Sequence, residues 1–256
     1  MKNTTLITGA SSGIGKGYAY GFAEQGYNLI LVARREQLLM EIKKDIEKKF
    51  PVEVCVVSLD LSQTDAATSL YTEIKKKNLE VDILVNNAGF STKGLFTNST
   101  LEEIKQELIL NISTLTELCH LFSKDWVDQQ NKAIINVSSA SAFQPSPYNA
   151  VYSSTKTYVL SLTEALNYEY KNRGIFYLAV CPSATDTEFF DKIVDFDLTK
   201  KRSVDNVVNT TMKAFRKKKV LAKDGYLTYI RAFMSRIIPR KLNTTIAGSI
   251  TKKYWG

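Results

Sequence analysis

The sequence predicts an α/β fold in which a parallel sheet is doubly wound by helices into three layers, α/β/α. Three observations carry this. Short β-branched and apolar runs alternate with helix-periodic stretches. A glycine-rich turn joins the first run to the first helix. Several runs end in small or polar residues, the pattern of parallel strands whose carboxyl ends open on a crevice. Strands are expected near residues 3–8, 27–33, 52–58, 81–85, 132–138 and 175–181, and helices near 14–25, 36–49, 64–77, 101–126 and 151–171.

Taken in order, Thr4-Thr5-Leu6-Ile7-Thr8 is the first strand. It passes directly into Gly9-Ala10-Ser11-Ser12-Gly13-Ile14-Gly15, after which the periodicity of the first helix begins. Strand, glycine turn and helix suit a pyrophosphate: the glycines allow a tight turn and close backbone approach, and free N–H groups at the helix start face the charge. With right-handed crossovers, that start gives a Rossmann-like strand order of 3-2-1-4-5-6, extended to 3-2-1-4-5-6-7 by a short seventh strand near Val220-Leu221. The second strand, Leu29-Ile30-Leu31-Val32, ends in Ala33-Arg34-Arg35, and the third, Val54-Cys55-Val56-Val57-Ser58, is followed by Asp60 and Leu61. The fourth, Val81-Asp82-Ile83-Leu84-Val85, leads into Asn86-Asn87-Ala88-Gly89. Asn111 then interrupts the apolar run Leu108-Ile109-Leu110 of the 101–126 helix, and the fifth strand, Ala133-Ile134-Ile135-Asn136-Val137, ends at Ser138-Ser139.

In the following helix Tyr152 and Lys156 stand four residues apart and therefore on one face. Together with Ser139 they can protonate a carbonyl oxygen. A free phenol, with a pKa of about 10, is a poor acid or base near neutrality, and a neighbouring ammonium is expected to lower it. Tyr-x-x-x-Lys alone describes many solvated helix faces. Its convergence with the glycine turn and the strand tails on one crevice points to a reaction.

The motifs Thr8-Gly9-x-x-x-Gly13-x-Gly15, Asn86-Asn87-Ala88-Gly89, Asn111, Ser139, Tyr152-x-x-x-Lys156 and Pro182-x-x-x-x-Thr187 occur in that order. In this the chain resembles the short-chain dehydrogenase/reductase family from the first strand to about residue 190. The resemblance implies that Tyr152 is acid or base, that Ser139 donates to the carbonyl oxygen, and that Lys156 lowers the phenol pKa and binds the nicotinamide ribose. It implies that Asn111 supports a water linking Lys156 to solvent. On the cofactor side it implies contacts from Gly9, Ser11, Ser12, Gly13, Ile14 and Gly15 in the turn, and from Asp60 and Leu61 at the adenine. Asn87 and Ala88 would approach the adenosine ribose and Thr187 the nicotinamide carboxamide, with Gly89, Pro182 and Thr185 also on the cofactor side. Asp60 could instead cap the helix starting near Thr64, although Ser62 is better placed to do so. Ser183 stands where the family usually has glycine, which is expected to restrict that turn.

A carboxylate at the end of the second strand would favour NAD(H), whereas guanidinium groups there pair with a 2′-phosphate. NADP(H) is therefore expected in preference to NAD(H), with Arg34 the first candidate and Arg35 the second. Residues 188–196 would form a flap over the substrate. Phe189, Phe190 and Phe196 there, with Phe143, Tyr148, Phe90 and Phe96, favour a small apolar ketone, aldehyde, alcohol or acyl-chain substrate over a sugar. The retained quartet of Asn111, Ser139, Tyr152 and Lys156 favours an enzyme over the alternative, a dinucleotide-binding sensor or scaffold with incidental turnover.

At 256 residues and 44% hydrophobic composition, one dinucleotide-binding domain over 1–256 is expected, with 188–256 as variable flap and helical extension. The first strand leaves no room for a signal peptide and no apolar run reaches the ~18 residues of a membrane span, so a cytoplasmic location is expected. Cys55, Cys119 and Cys181 read as reduced core thiols, and the single histidine, His120, reads as structural, so no metal site is expected. The resemblance implies a homodimer or homotetramer built through the helices at 101–126 and 151–171. The net charge of +8 is concentrated in the tail, where Leu227, Ile230, Phe233, Met234, Ile237 and Ile238 fall at helical spacing. Such a helix would either make peripheral contact with an anionic membrane or pack on the domain or a subunit neighbour. Packing is the preferred reading. Nucleic-acid binding is not expected, because no recognition motif accompanies the charge.

Overall fold

The computed structural model describes residues 2–190 and 202–255. Its sheet contains β1 (Thr4–Thr8), β2 (Asn28–Ala33), β3 (Val54–Ser58), β4 (Ile83–Asn86), β5 (Lys132–Val137), β6 (Ile175–Cys181) and β7 (Leu221–Lys223). These lie in the order β3-β2-β1-β4-β5-β6-β7, every neighbouring pair parallel. Adjacent residues in each strand serve opposite faces. Ile7, Leu31, Val85, Ile135 and Leu178 pack under α1 (Gly13–Glu24), α2 (Glu36–Lys49) and α7 (Val204–Arg216). Leu6, Ile30, Leu84, Ile134 and Tyr177 pack under α3 (Ala66–Lys76), α5 (Leu115–Trp126) and α6 (Ala150–Tyr170). Burial on both faces explains why these strands read as near-continuous apolar runs.

The α1–α7 contact depends on missing side chains. A Cβ on Gly17 would collide with Val204 Cγ1, and one on Gly21 would come within 2.6 Å of Val208 Cγ1. The two glycines, four apart on α1, form a trough into which α7 settles.

The structure corrects several expected boundaries. The single helix at 101–126 is α4 (Leu101–Leu108), a π-helical turn over Ile109–Thr114, and α5. Thr100 and Glu103 close α4 with a capping box. Neither Asp60 nor Ser62 caps α3: its N-cap is Asp65, at φ 62°. Asp60 instead closes its own turn, accepting from the Ser62 N–H at 3.0 Å and the Ser62 hydroxyl at 2.7 Å. His120 is exposed on α5 and does not support the core. The three cysteines are free thiols. Among the described residues there is no cluster that could hold a metal ion, and no helix long and apolar enough to cross a membrane.

Beyond β7 the chain forms α8 (Tyr226–Ile237) and α9 (Arg240–Trp255), separated at Pro239. The apolar stripe expected in this segment lies on α8 and faces away from its own domain, so of the two packing alternatives the structure leaves the one against a subunit neighbour. Thr228 and Ala232 are buried, whereas Leu227, Phe233 and Ile237 are each more than 60% exposed.

Candidate active site

The glycine turn after β1 is held at both sides. Gly9 has φ +66°, and a Cβ there would lie 2.9 Å from the Ala88 Cα. A Cβ on Gly15 would collide with the Gly9 carbonyl oxygen. Asn87 fixes this approach by donating through Nδ2 to Thr8 O at 2.9 Å, while its N–H and that of Ala88 donate to Thr8 Oγ1 at 2.9 and 3.0 Å. Gly13, at φ +53°, faces Thr187. The α1 N-terminus begins at Gly13, and Ile14 anchors it against the core. This cradle of backbone at a helix N-terminus, closed to any Cβ, fits a dinucleotide pyrophosphate.

On the opposite side of β1, the ends of β5 and α6 bring the polar quartet together. Ser138 Oγ donates to Lys156 O at 2.7 Å and so ties the strand end to the helix. Lys156, 4% exposed, donates through Nζ to Val137 O at 2.9 Å, with Nζ 5.6 Å from the Tyr152 ring centroid. Ser139 accepts at Oγ from the Ser141 N–H at 3.1 Å and hydroxyl at 2.9 Å, leaving its own proton to give. Asn111, fully buried by the π-helical turn, donates to Phe90 O at 2.9 Å and to Thr155 Oγ1 at 3.2 Å. Gly89 allows the close approach here, because a Cβ on it would be 3.0 Å from Asn111 Oδ1 and 3.4 Å from Lys156 Nζ. Interruptions of this π-helical kind are found at functional sites often enough to matter.

One residue of this centre was not visible in the sequence. Glu107, one turn before Asn111, is fully buried, and its Oε2 accepts from the Thr92 N–H at 2.8 Å and hydroxyl at 2.6 Å. Its Oε1 has no hydrogen-bond partner among the described residues. Burial raises the carboxyl pKa, while Thr92 and the Lys156 charge act to lower it. A glutamate in an ordinary amphipathic helix gives no signal of this.

The electrostatics also correct one expectation. Burial pushes the Tyr152 phenol pKa up; the Ser139 hydroxyl acts to lower it, and Glu107 adds to the rise. Lys156 is not among the groups that lower it, its ammonium being turned to the Val137 carbonyl. The Lys156 ammonium is itself brought down to about 8 by burial, against the opposing charge of Glu107. Burial thus favours the neutral, proton-donating form of the phenol and weakens the hold of Lys156 on its proton.

At the end of β2 the two arginines take different positions. Arg35, not Arg34, turns over the glycine turn, donating to Ser11 Oγ at 3.2 Å, Ser12 Oγ at 2.8 Å and Glu188 Oε2 at 2.9 Å. Arg34 is exposed and stands 3.9 Å from Asp60. The Asp60 carboxyl is held low despite burial by hydrogen bonds from Ser62 and Gln63 and by Arg34. Leu61 is buried, with its carbonyl accepting from Thr114 Oγ1 at 2.9 Å.

Beyond β6, the Pro182 carbonyl accepts from the Ala140 N–H at 2.8 Å, Thr185 is buried, and the Thr187 hydroxyl donates to Thr185 O at 3.3 Å. Ser183 has no left-handed backbone, so serine there costs none of the expected strain. The segment is braced by Arg202, whose backbone pairs with Ala184 and Asp186. Its guanidinium binds the fully buried Asp224 at 2.9 and 3.1 Å.

The Phe189 ring lies 5.4 Å from that of Tyr152, and Lys93 Nζ sits 4.6 Å over Phe189. Beside them is a cavity lined by Leu95, Phe96, Pro147, Tyr148 and Val151, among others. Phe143 packs instead against Ala142, Leu160 and Cys181 in the interior, and Phe90 serves Asn111 through its backbone. The Phe190 side chain and Phe196 lie outside the described residues.

A family model described as short chain dehydrogenase matches residues 3–196. Hydroxysteroid dehydrogenase-like protein 1 of Gallus gallus is 34% identical over 181 residues, covering 69% of this chain and 54% of the relative. Very-long-chain 3-oxoacyl-CoA reductase of Rattus norvegicus is 34% identical over 185 residues, covering 69% and 57%. The chain thus spans little more than half the length of these relatives. A short-chain dehydrogenase from Sphingobium yanoikuyae in complex with NADPH shares 31% identity at a TM-score of 0.82, over 93% of this chain and 97% of that one.

Proposed function

Because the chain belongs to the short-chain dehydrogenase/reductase family, we propose that it is an NADP(H)-dependent oxidoreductase interconverting an apolar ketone or aldehyde and its alcohol. The observation that carries this reading is the gathering of Tyr152, the oriented Ser139 hydroxyl and the buried Lys156 ammonium, 5.6 Å from the Tyr152 ring centroid, at the end of β5 and the start of α6. The glycine turn, Ser11, Ser12 and Arg35 would hold the dinucleotide, which supplies the hydride. The protein does the rest. Tyr152 gives its proton to the carbonyl oxygen in reduction and takes it back in oxidation. Ser139, already oriented by Ser141, donates to the same oxygen as negative charge develops. Lys156, its ammonium on the Val137 carbonyl 5.6 Å from the Tyr152 ring centroid, would return a proton to the phenolate left after transfer, and Asn111 and Gly89 line its surroundings.

The preference for NADP(H) is supported by the arginine pair that immediately follows β2, and by the NADPH named for the Sphingobium relative. Phe189 on Tyr152 and the Leu95, Phe96 and Tyr148 side chains support an apolar substrate. The name of the rat relative adds 3-oxoacyl thioesters to the candidates. Cytoplasmic location and assembly as a homodimer or homotetramer through the outer faces of α4, α5 and α6 belong to the same proposal. Light scattering of the purified chain tests the latter.

The test of function is NADPH oxidation, with NADH alongside, against aliphatic, aromatic, steroid and 3-oxoacyl ketones. Turnover with NADPH that disappears in Tyr152→Phe is the expected result. Tight NADPH binding with no turnover across the panel would favour the sensor reading.

A further inference from the structure

Helix α8 is inside out. Its stripe of large apolar side chains, Leu227, Ile230, Phe233, Met234 and Ile237, falls on one face at helical spacing, and these residues are between 38% and 63% exposed. The opposite face, turned to the domain, carries Thr228 and Ala232, which are 1% and 6% exposed. On α9 the pattern recurs: Leu242, Ile246 and Ile250, spaced by four, are each at least 43% exposed, while Asn243 and Ala247 are buried. A soluble surface seldom leaves so many large apolar groups together.

Charge says what covers them. No Asp or Glu follows Asp224, whereas Arg231, Arg236, Arg240, Lys241, Lys252 and Lys253 do. Arg236, Arg240 and Lys241 are exposed beside the apolar stripe, around the α8–α9 corner. A second copy of the chain fits this badly, since a two-fold contact of an acid-free basic face sets like charges against one another. An anionic lipid surface fits both features, because it takes apolar side chains into its acyl boundary and cations among its headgroups.

We propose that the outer face of α8 and α9 docks the protein on anionic membranes. The side of α9 away from this face packs beside the cavity described above: a Cβ on Gly248 would lie 3.2 Å from Pro147, and Lys93 Nζ sits 6.0 Å over the Trp255 ring. Docked there, the protein holds that cavity one helix away from the lipid boundary. Membrane capture is independent of the proposed reaction and has its own readout.

The experiment is co-sedimentation of the full chain with vesicles of phosphatidylcholine alone or mixed with phosphatidylglycerol, at low and high salt. Capture by the anionic vesicles at low salt is expected, falling on neutral vesicles and at high salt. Phe233→Ser with Ile237→Ser should weaken capture by roughly tenfold or more through lost apolar contact. Arg240→Ser and Lys241→Ser should each weaken it by about fivefold. These positions are exposed, and unchanged circular dichroism and thermal melting establish that the variants are folded. Absence of capture at low salt overturns the proposal, as does capture undiminished in Phe233→Ser/Ile237→Ser. An oligomer that this pair converts to monomer, without vesicle binding in the parent, overturns it in favour of a subunit interface.

Discussion

Replacing Arg35 by Leu removes the guanidinium that spans Ser11, Ser12 and Glu188. If a 2′-phosphate takes that position, it brings up to two negative charges within about 4 Å of the guanidinium. At the water-like dielectric of an exposed site, each such pair contributes about 1 kcal/mol, so the loss is about 2 kcal/mol, or about thirtyfold in kcat/KM for NADPH. The Arg35–Glu188 ion pair, 2.9 Å long with both side chains about half exposed, must be given up on binding and offsets at most ~1 kcal/mol of this. The net expectation is a roughly five- to thirtyfold fall for NADPH and little change for NADH. Steady-state kinetics with both coenzymes at a fixed ketone concentration measure it, and the NADPH effect should shrink as salt is raised. An equal fall for both coenzymes would refute the reasoning, because it would mean that Arg35 supports the turn and does not select the phosphate. No fall for either would return the role to Arg34.

Tyr152→Phe should lower kcat by about 10²–10⁴-fold with unchanged thermal melting and dinucleotide binding; near-normal turnover would remove the phenol from the mechanism. Lys156, lowered to about 8 by burial, carries its charge below that pH and loses it above, so kcat/KM for reduction should decline as pH rises through about 8. Because Glu107 raises the Lys156 pKa, Glu107→Gln should move that limb to lower pH, and a purely structural role for Glu107 would leave the limb in place. Gly15→Ala, whose methyl meets the Gly9 carbonyl, should cost about 1–3 kcal/mol, visible as a Tm lower by roughly 2–4 °C for each kcal/mol, and should weaken dinucleotide binding.

The strands and their order were legible because both faces of the sheet are covered, which leaves β-branched runs such as Ile30-Leu31-Val32 with no polar alternation to confuse them. The site residues on strand ends and at i, i+4 on α6 were legible for a related reason: their positions follow from local geometry. What depends on distant contacts was not. The π-helical turn that buries Asn111 adds no residue type to the sequence, and Glu107 reads as a solvated helix charge until Thr92 is brought to it. Arg34 and Arg35 differ by a single step, and it is the Glu188 carboxylate and the serines of the turn that draw Arg35 across. The stripe on α8 was correctly located, but periodicity marks a face without saying which way it points.

The trough formed by Gly17 and Gly21 has a consequence for synthesis. The helix that opens the chain receives Val204 and Val208, almost 190 residues later. During translation α1 therefore leaves the ribosome long before its covering helix exists, and part of its apolar side stays uncovered until most of the chain has been made. Contacts so distant in sequence close late and slow the final folding step.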